Sequence, residues 1–260
     1  MIEIVGGGVV RLCREVAEFC MLFFDSLVGL GRGLSRFELR GRETLNQMFL
    51  VGVESLPVIL ACLTFVSLMM ITEFSFHMKL VLRQDSLVPA FSTLIMVREL
   101  GPVLTCLLLT SRVGAGIAAE VGTMRITEQL DALRLLSIDP VEYLVIPRWI
   151  ACVFASMALS IIALGVAIVG GAFIAAFNLG YPLAQYFNTM FLFSRFDDFT
   201  KCLVKAAVFG TIMTFVALHH GFRCRRGSEG VGNASTAAVV QGSLLLIAAD
   251  FVLTYLQYAV

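Results

Sequence analysis

Charged side chains are scarce in this chain. They make up 15% of its 260 residues, against 58% hydrophobic residues and a mean hydropathy of +0.90. Soluble domains carry about 25% charged and about 45–50% apolar residues. The deficit excludes an ordinary water-soluble core and points to several membrane spans. Net charge is zero, so no basic field invites nucleic acid. No Gly-Lys dipeptide occurs, which removes the phosphate loop GxxxxGK[ST] as a route to ATP. Cysteines stand at 13, 20, 62, 106, 152, 202 and 224, with no CxxC and no His/Cys cluster at metal spacing. Most fall in apolar runs and read as small buried hydrophobes, so no metal site is expected. His219 and His220 are adjacent, which on a helix turns their rings about 100° apart. They read as a membrane-boundary feature. Asn233-Ala-Ser matches a glycosylation sequon by chance. The N-terminus does not have the form of a cleavable signal peptide, because Glu3, Arg11, Arg14, Glu15 and Glu18 interrupt its apolar residues.

What the chain does have is periodicity and long apolar runs. Over residues 9–30, Val9, Leu12, Val16, Phe19, Phe23 and Leu27 recur at steps of three and four. The charges fall mostly opposite. That pattern predicts an amphipathic helix lying in the membrane interface, followed by a basic stretch of Arg32, Arg36, Arg40 and Arg42. Five apolar segments follow, near 53–71, 88–109, 149–177, 199–218 and 237–258. Each approaches or exceeds the ~20 residues a bilayer requires. The expected fold is therefore an all-α integral membrane protein. Residues 1–48 form its interfacial helix and basic segment, and 49–260 its transmembrane domain. The second segment contains Arg98-Glu99 and Gly101-Pro102, where a local break in the helix is expected to open space beside the pair. There is no strong internal repeat.

Lys and Arg give the orientation. With the N-terminus inside, the inner segments hold Arg11, Arg14, Arg32, Arg36, Arg40, Arg42, Arg112, Arg125, Arg134, Arg148, Arg223, Arg225 and Arg226. The outer side holds Lys79, Arg83, Arg195 and Lys201. The bias places the N-terminus in the cytoplasm and the C-terminus on the far side.

The inner segment from 112 to 148 carries a short amphipathic stretch. Ile126, Leu130 and Leu133 give an apolar stripe, and Glu120, Arg125, Glu128, Gln129 and Asp131 a polar surface, before Asp139-Pro140 breaks the helix. Such a helix either lies on the bilayer or docks into a groove on a partner. The strings RELGPVL at 98–104, AAEVGTMRITEQLDAL at 118–133 and IDPVEYLVIPR at 138–148 closely resemble the MlaE/YrbE permeases. The last 55 residues, with KCLVKAAVFG, GVGNASTAAVV and ADFVLTYL, also look like that family; the first 90 match only in pattern.

The resemblance implies a permease subunit of an ATP-driven lipid transporter, without an ATPase site of its own, in the inner membrane. Its implied partners are a separate ABC ATPase carrying ATP and Mg, an MCE-domain substrate-binding protein, a second copy of the chain, and membrane phospholipids. It also implies a cytoplasmic coupling helix at about 118–136 between spans two and three, with Glu120, Gly122, Thr123, Met124, Arg125, Glu128 and Gln129 at the ATPase contact.

Three ionisable residues fall deep in apolar segments: Glu99, Lys205 and Asp250. Such charges are costly and mark function or helix pinning. At about 1.5 Å per residue all three share one layer. Lys205 and Asp250 are the expected pair, because spans four and five are consecutive. Arg98, next to Glu99, faces elsewhere. The resemblance places Arg98 and Glu99 near a lipid-binding cavity, with Met69, Met70, Phe74 and Phe76 as acyl-chain contacts or plain lipid-facing packing. Two other functions fit the charges and the spans: an ion-gradient-driven secondary transporter, which the missing repeat argues against, and a non-transporting scaffold.

Overall fold

The computed structural model describes residues 41–81, 87–225 and 227–258, together with Met21, Phe24, Ser26 and Val28. The expected interfacial helix at 9–30 lies outside the described residues apart from those four, as do Arg32, Arg36 and Arg40. Every described element is helical. Five helices are long and apolar enough to cross a membrane. In chain order they are α1 (Gly41–Val81), α2 (Val88–Ile126), α4 (Ile146–Leu179), α6 (Phe196–Phe222) and α7 (Ser228–Tyr258). Between them lie the short α3 (Gln129–Leu135) and α5 (Leu183–Phe193).

The spans are longer than their apolar cores. The 41-residue α1 begins at Gly41, although hydropathy places the span near 53. At about 1.5 Å per residue it is about 60 Å long, twice the hydrocarbon thickness. Its first turns hold Arg42, Glu43 and Gln47, polar residues with good helix propensity that contribute no hydropathy. Pro57 sits inside α1 without ending it. Likewise α7 starts at Ser228, so the polar run SEGVGNAST is helical rather than loop.

Within α2 the break expected at Gly101-Pro102 is not a break. The helix widens into a π turn over Met96–Leu100, where the Gly101 N–H donates to the Met96 carbonyl, and runs on. No space opens at Gly101 either. A Cβ there would lie 2.6 Å from Leu164 Cδ2, so α4 packs directly on the glycine.

Contacts divide the chain into two compact units. The first comprises Met1–Met48, Thr110–Cys152 and Thr211–Leu244; the second comprises Phe49–Leu109, Val153–Gly210 and Leu245–Val260. In the second, Ile71, Val88, Ala172, Ala175, Tyr181 and Tyr186 form one apolar core, and Cys106, Phe209 and Leu246 another. Gly171 lets α4 approach Ile71 and Ser67 too closely for any Cβ. The Ser67 hydroxyl donates to the Ala167 carbonyl at 2.7 Å, which satisfies it without water. In the first unit, Trp149 donates its indole N–H to Thr211 Oγ1 at 3.1 Å and packs edge-on against Phe215. Span four is the most enclosed: 67% of its apolar window is buried, against 22% for span one and 17% for span five.

The helix expected at 118–136 is two pieces. The part to Ile126 continues α2. The chain then turns at Thr127 and Glu128, with Glu128 in the left-handed region (φ 59°), and α3 follows. No glycine or proline signals that turn. Instead Thr127 Oγ1 donates back to the Thr123 carbonyl at 2.9 Å and closes the end of α2.

Candidate functional site

Helix α6 places Asp198 and Lys205 seven residues apart, two full turns, and so on one face. Helix α7 does the same for Asp250 and Thr254, one turn apart. The π turn of α2 supplies Arg98 and Glu99. Pro102 supplies something less obvious. Having no N–H, it leaves the carbonyl four residues earlier, that of Arg98, without its usual helical donor. Lys205 Nζ donates to that carbonyl at 3.0 Å.

The other two ammonium protons go to Glu99 Oε2 at 2.7 Å and Thr254 Oγ1 at 2.8 Å. Asp250 Oδ1 lies 2.8 Å from the same nitrogen. Since the three N–H groups are already directed elsewhere, that contact is ionic, and Asp250 Oδ1 has no hydrogen-bond partner of its own. Thr254 Oγ1 also lies 3.3 Å from both Glu99 oxygens and bridges the acid to the ammonium. Lys205 is fully buried, while the side chains of Glu99 and Asp250 are 34% and 20% exposed.

Two carboxylates thus face one ammonium. Arg98 does not balance the surplus. Its Nε pairs with Asp198 Oδ1 at 2.8 Å, and Asp198 Oδ2 accepts from the Arg195 backbone N–H at 3.1 Å. The expected Lys205–Asp250 proximity is present, but Glu99 shares the lysine and takes its hydrogen bond.

The acyl-chain candidates do not gather. Met69 is outward-facing and Met70 half-buried, while Phe74 packs against the Ile71–Tyr186 core. Phe76 is exposed and rests edge-on against His77.

In the first unit the residues named for ATPase contact separate into two groups. Thr123, Glu128 and Gln129 are exposed, and Met124 is half-buried. Gly122 is buried: a Cβ on it would meet Cys224 at 3.3 Å, so it serves packing between α2 and the chain after α6 and does not face outward. Arg125 is engaged within the loop, donating to both oxygens of Asp131 at 3.1 and 3.2 Å. Glu120 is half-exposed and accepts from Arg148 Nη2 at 2.8 Å; Arg148 is itself buried and donates through Nη1 to the Leu144 carbonyl. The most exposed apolar side chains of the loop are Leu135 and Leu136, 88% and 70% exposed, at the end of α3.

A model of the family described as Permease MlaE matches residues 44–256. The chain belongs to the MlaE permease family. A probable ABC transporter permease protein of Rickettsia bellii is 34% identical over 256 residues, covering 98% of this chain and 97% of that one. A protein of the same description from Synechocystis is 36% identical over 221 residues, 84% of this chain and 82% of its own. The intermembrane phospholipid transport system permease protein MlaE of Haemophilus influenzae is 29% identical over 258 residues, 99% of this chain and 97% of its own. The chain is accordingly a multi-pass membrane permease of this family.

Asp198, Thr254, Leu135 and Leu136 escaped the reading of the sequence, as did the pairing of Arg148. Asp198 sits among polar residues at a span start, and its seven-residue spacing to Lys205 was the available signal. Thr254 had the same signal in its one-turn spacing from Asp250. Arg148 gave none, because its partner Glu120 is 28 residues away.

Proposed function

We propose that this MlaE-family permease is the membrane subunit of an ATP-driven phospholipid transporter in the inner membrane. Two copies form the transport path, a separate ABC ATPase supplies the energy, and an MCE-domain protein exchanges lipid with it. The N-terminus is cytoplasmic in this reading, which the Lys and Arg distribution supports. The observation that carries this reading is the match of residues 44–256 to the family, together with a full-length relative named for intermembrane phospholipid transport.

The geometry supports a division of labour. The turn at Thr127–Glu128 and the exposed end of α3 present Thr123, Glu128, Gln129, Leu135 and Leu136 as one docking element for the ATPase. An apolar tip rimmed by polar groups is the composition of a helix that seats in a partner's groove. The Lys205 cluster fixes spans two, four and five, with Arg98 and Glu99 beside the lipid path. The test is transfer of a labelled phospholipid from proteoliposomes holding the permease, its ATPase and its MCE-domain protein. Transfer that requires ATP hydrolysis is expected. Equal transfer without the ATPase, driven by an ion gradient, contradicts the reading.

A further inference from the structure

A cleft of about 470 Å³ lies in the first unit where α6 gives way to α7. Arg223, Arg225, Glu229, Asn233, Cys224 and Ala234 line it. Neither the Lys205 cluster nor the α3 docking element uses these residues. The cleft depends on a close fit: a Cβ on Gly230 would collide with the Arg225 carbonyl, so only glycine lets Arg225 lie over the first turn of α7. Gly227 makes the return with φ +99°.

The position fixes the surroundings. This turn joins Phe196–Phe222 and Ser228–Gln257, two helices long and apolar enough to cross a membrane. With both spans in a bilayer, the cleft lies just beyond their apolar segments, near the lipid headgroups on the arginine-rich side. Its charge is also informative. Two guanidiniums and one carboxylate line it beside His220, with Arg223 Nη1 3.3 Å from His219 Nε2, so basic groups outnumber acidic ones. A phosphodiester carries one negative charge, and guanidinium forks match its oxygens in pairs. The Asn233 amide adds a neutral donor, and the small Ala234 and Ala237 leave an apolar wall beside it.

We propose that this cleft binds the phosphodiester of a membrane phospholipid headgroup, held by Arg223 and Arg225. The proposal rests on the spans crossing a membrane and not on lipid transport, so either can fail alone.

Cys224 provides the readout. Cys224 lines the cleft, its Sγ donates to the Arg225 carbonyl at 3.3 Å, and burial raises its pKa, so the thiolate is scarce and alkylation is slow. The purified full chain in detergent is alkylated, and modification of Cys224 is read by peptide mass spectrometry. A short-chain phosphatidylglycerol is expected to slow alkylation at concentrations where inorganic phosphate and dioctanoylglycerol do not. Arg225→Gln and Arg223→Gln should each weaken that protection about tenfold. Arg225 is exposed, so its variant keeps the fold, and its alkylation rate without lipid checks this. Equal protection by inorganic phosphate would assign the cleft to a free anion and overturn the lipid occupant. Protection by dioctanoylglycerol would make it an apolar cleft. Absence of protection by any of the three, or protection only on adding the ATPase subunit, would also overturn the proposal.

Discussion

Both compact units pair carboxylates with basic side chains, but in opposite surroundings. In the second unit Lys205 is fully buried and every partner around it is at least half-buried. In the first, Arg125 and Asp131 are 40% and 50% exposed, and Glu120 is half-exposed against buried Arg148. The Coulomb attraction is weak where water reaches and strong where it does not, and the cost of losing one partner scales the same way. The charges of the Lys205 cluster are consequently locked to one another. Those of Arg125 and Asp131 can be exchanged for a partner's charges at small cost. The difference teaches which region holds the fold and which is free to bind.

The largest effect expected is at Lys205. Lys205→Met leaves Glu99 and Asp250 facing each other without the ammonium, a loss of about 3–5 kcal/mol. It should be visible as a large fall in the thermal unfolding midpoint of the purified protein. Because two acids share the lysine, Lys205→Met with Asp250→Asn should recover only part of the loss. Adding Glu99→Gln should recover most of the rest. Full recovery by the first pair alone would remove Glu99 from the cluster.

Next comes Arg98→Ala, which leaves buried Asp198 with only the Arg195 N–H and should cost about 2 kcal/mol. Asp198→Asn should cost less in the same unfolding assay, since it leaves a half-exposed arginine that water can serve. Glu120→Gln is smaller again, about 1 kcal/mol, because Arg148 keeps the Leu144 carbonyl. The smallest is Arg125→Ala, expected within about 0.2–1 kcal/mol, as for exposed pairs generally. An Arg125→Ala loss as large as that of Lys205→Met would erase the contrast between the units.

The five spans were legible because their windows need only composition, and composition survives any packing. Their ends were not. Residues 41–47 and 228–236 are mostly polar yet helical, and hydropathy carries no trace of helix propensity. The common depth of Glu99, Lys205 and Asp250 was legible from rise per residue alone. That Glu99 and Asp250 both reach one lysine was not, since the π turn at Met96–Leu100 alters which side of α2 faces inward. Pro102 was read as a break opening space beside the pair. Its actual contribution is a carbonyl freed for Lys205, and Leu164 fills the space at Gly101. In the loop, the turn at Glu128 has no glycine or proline to announce it. The burial of Gly122 depends on Cys224, a contact across a hundred residues that no local pattern encodes.

The division between a locked unit and a binding unit is tested most directly by co-purifying the ATPase with two variants side by side. Leu135→Asp with Leu136→Asp changes only exposed side chains at the end of α3. It should leave the unfolding midpoint at the wild-type value and abolish ATPase co-purification. Lys205→Met should co-purify the ATPase normally and lower the midpoint. ATPase bound normally by the leucine double variant, or lost only from the cluster variant, would contradict the division.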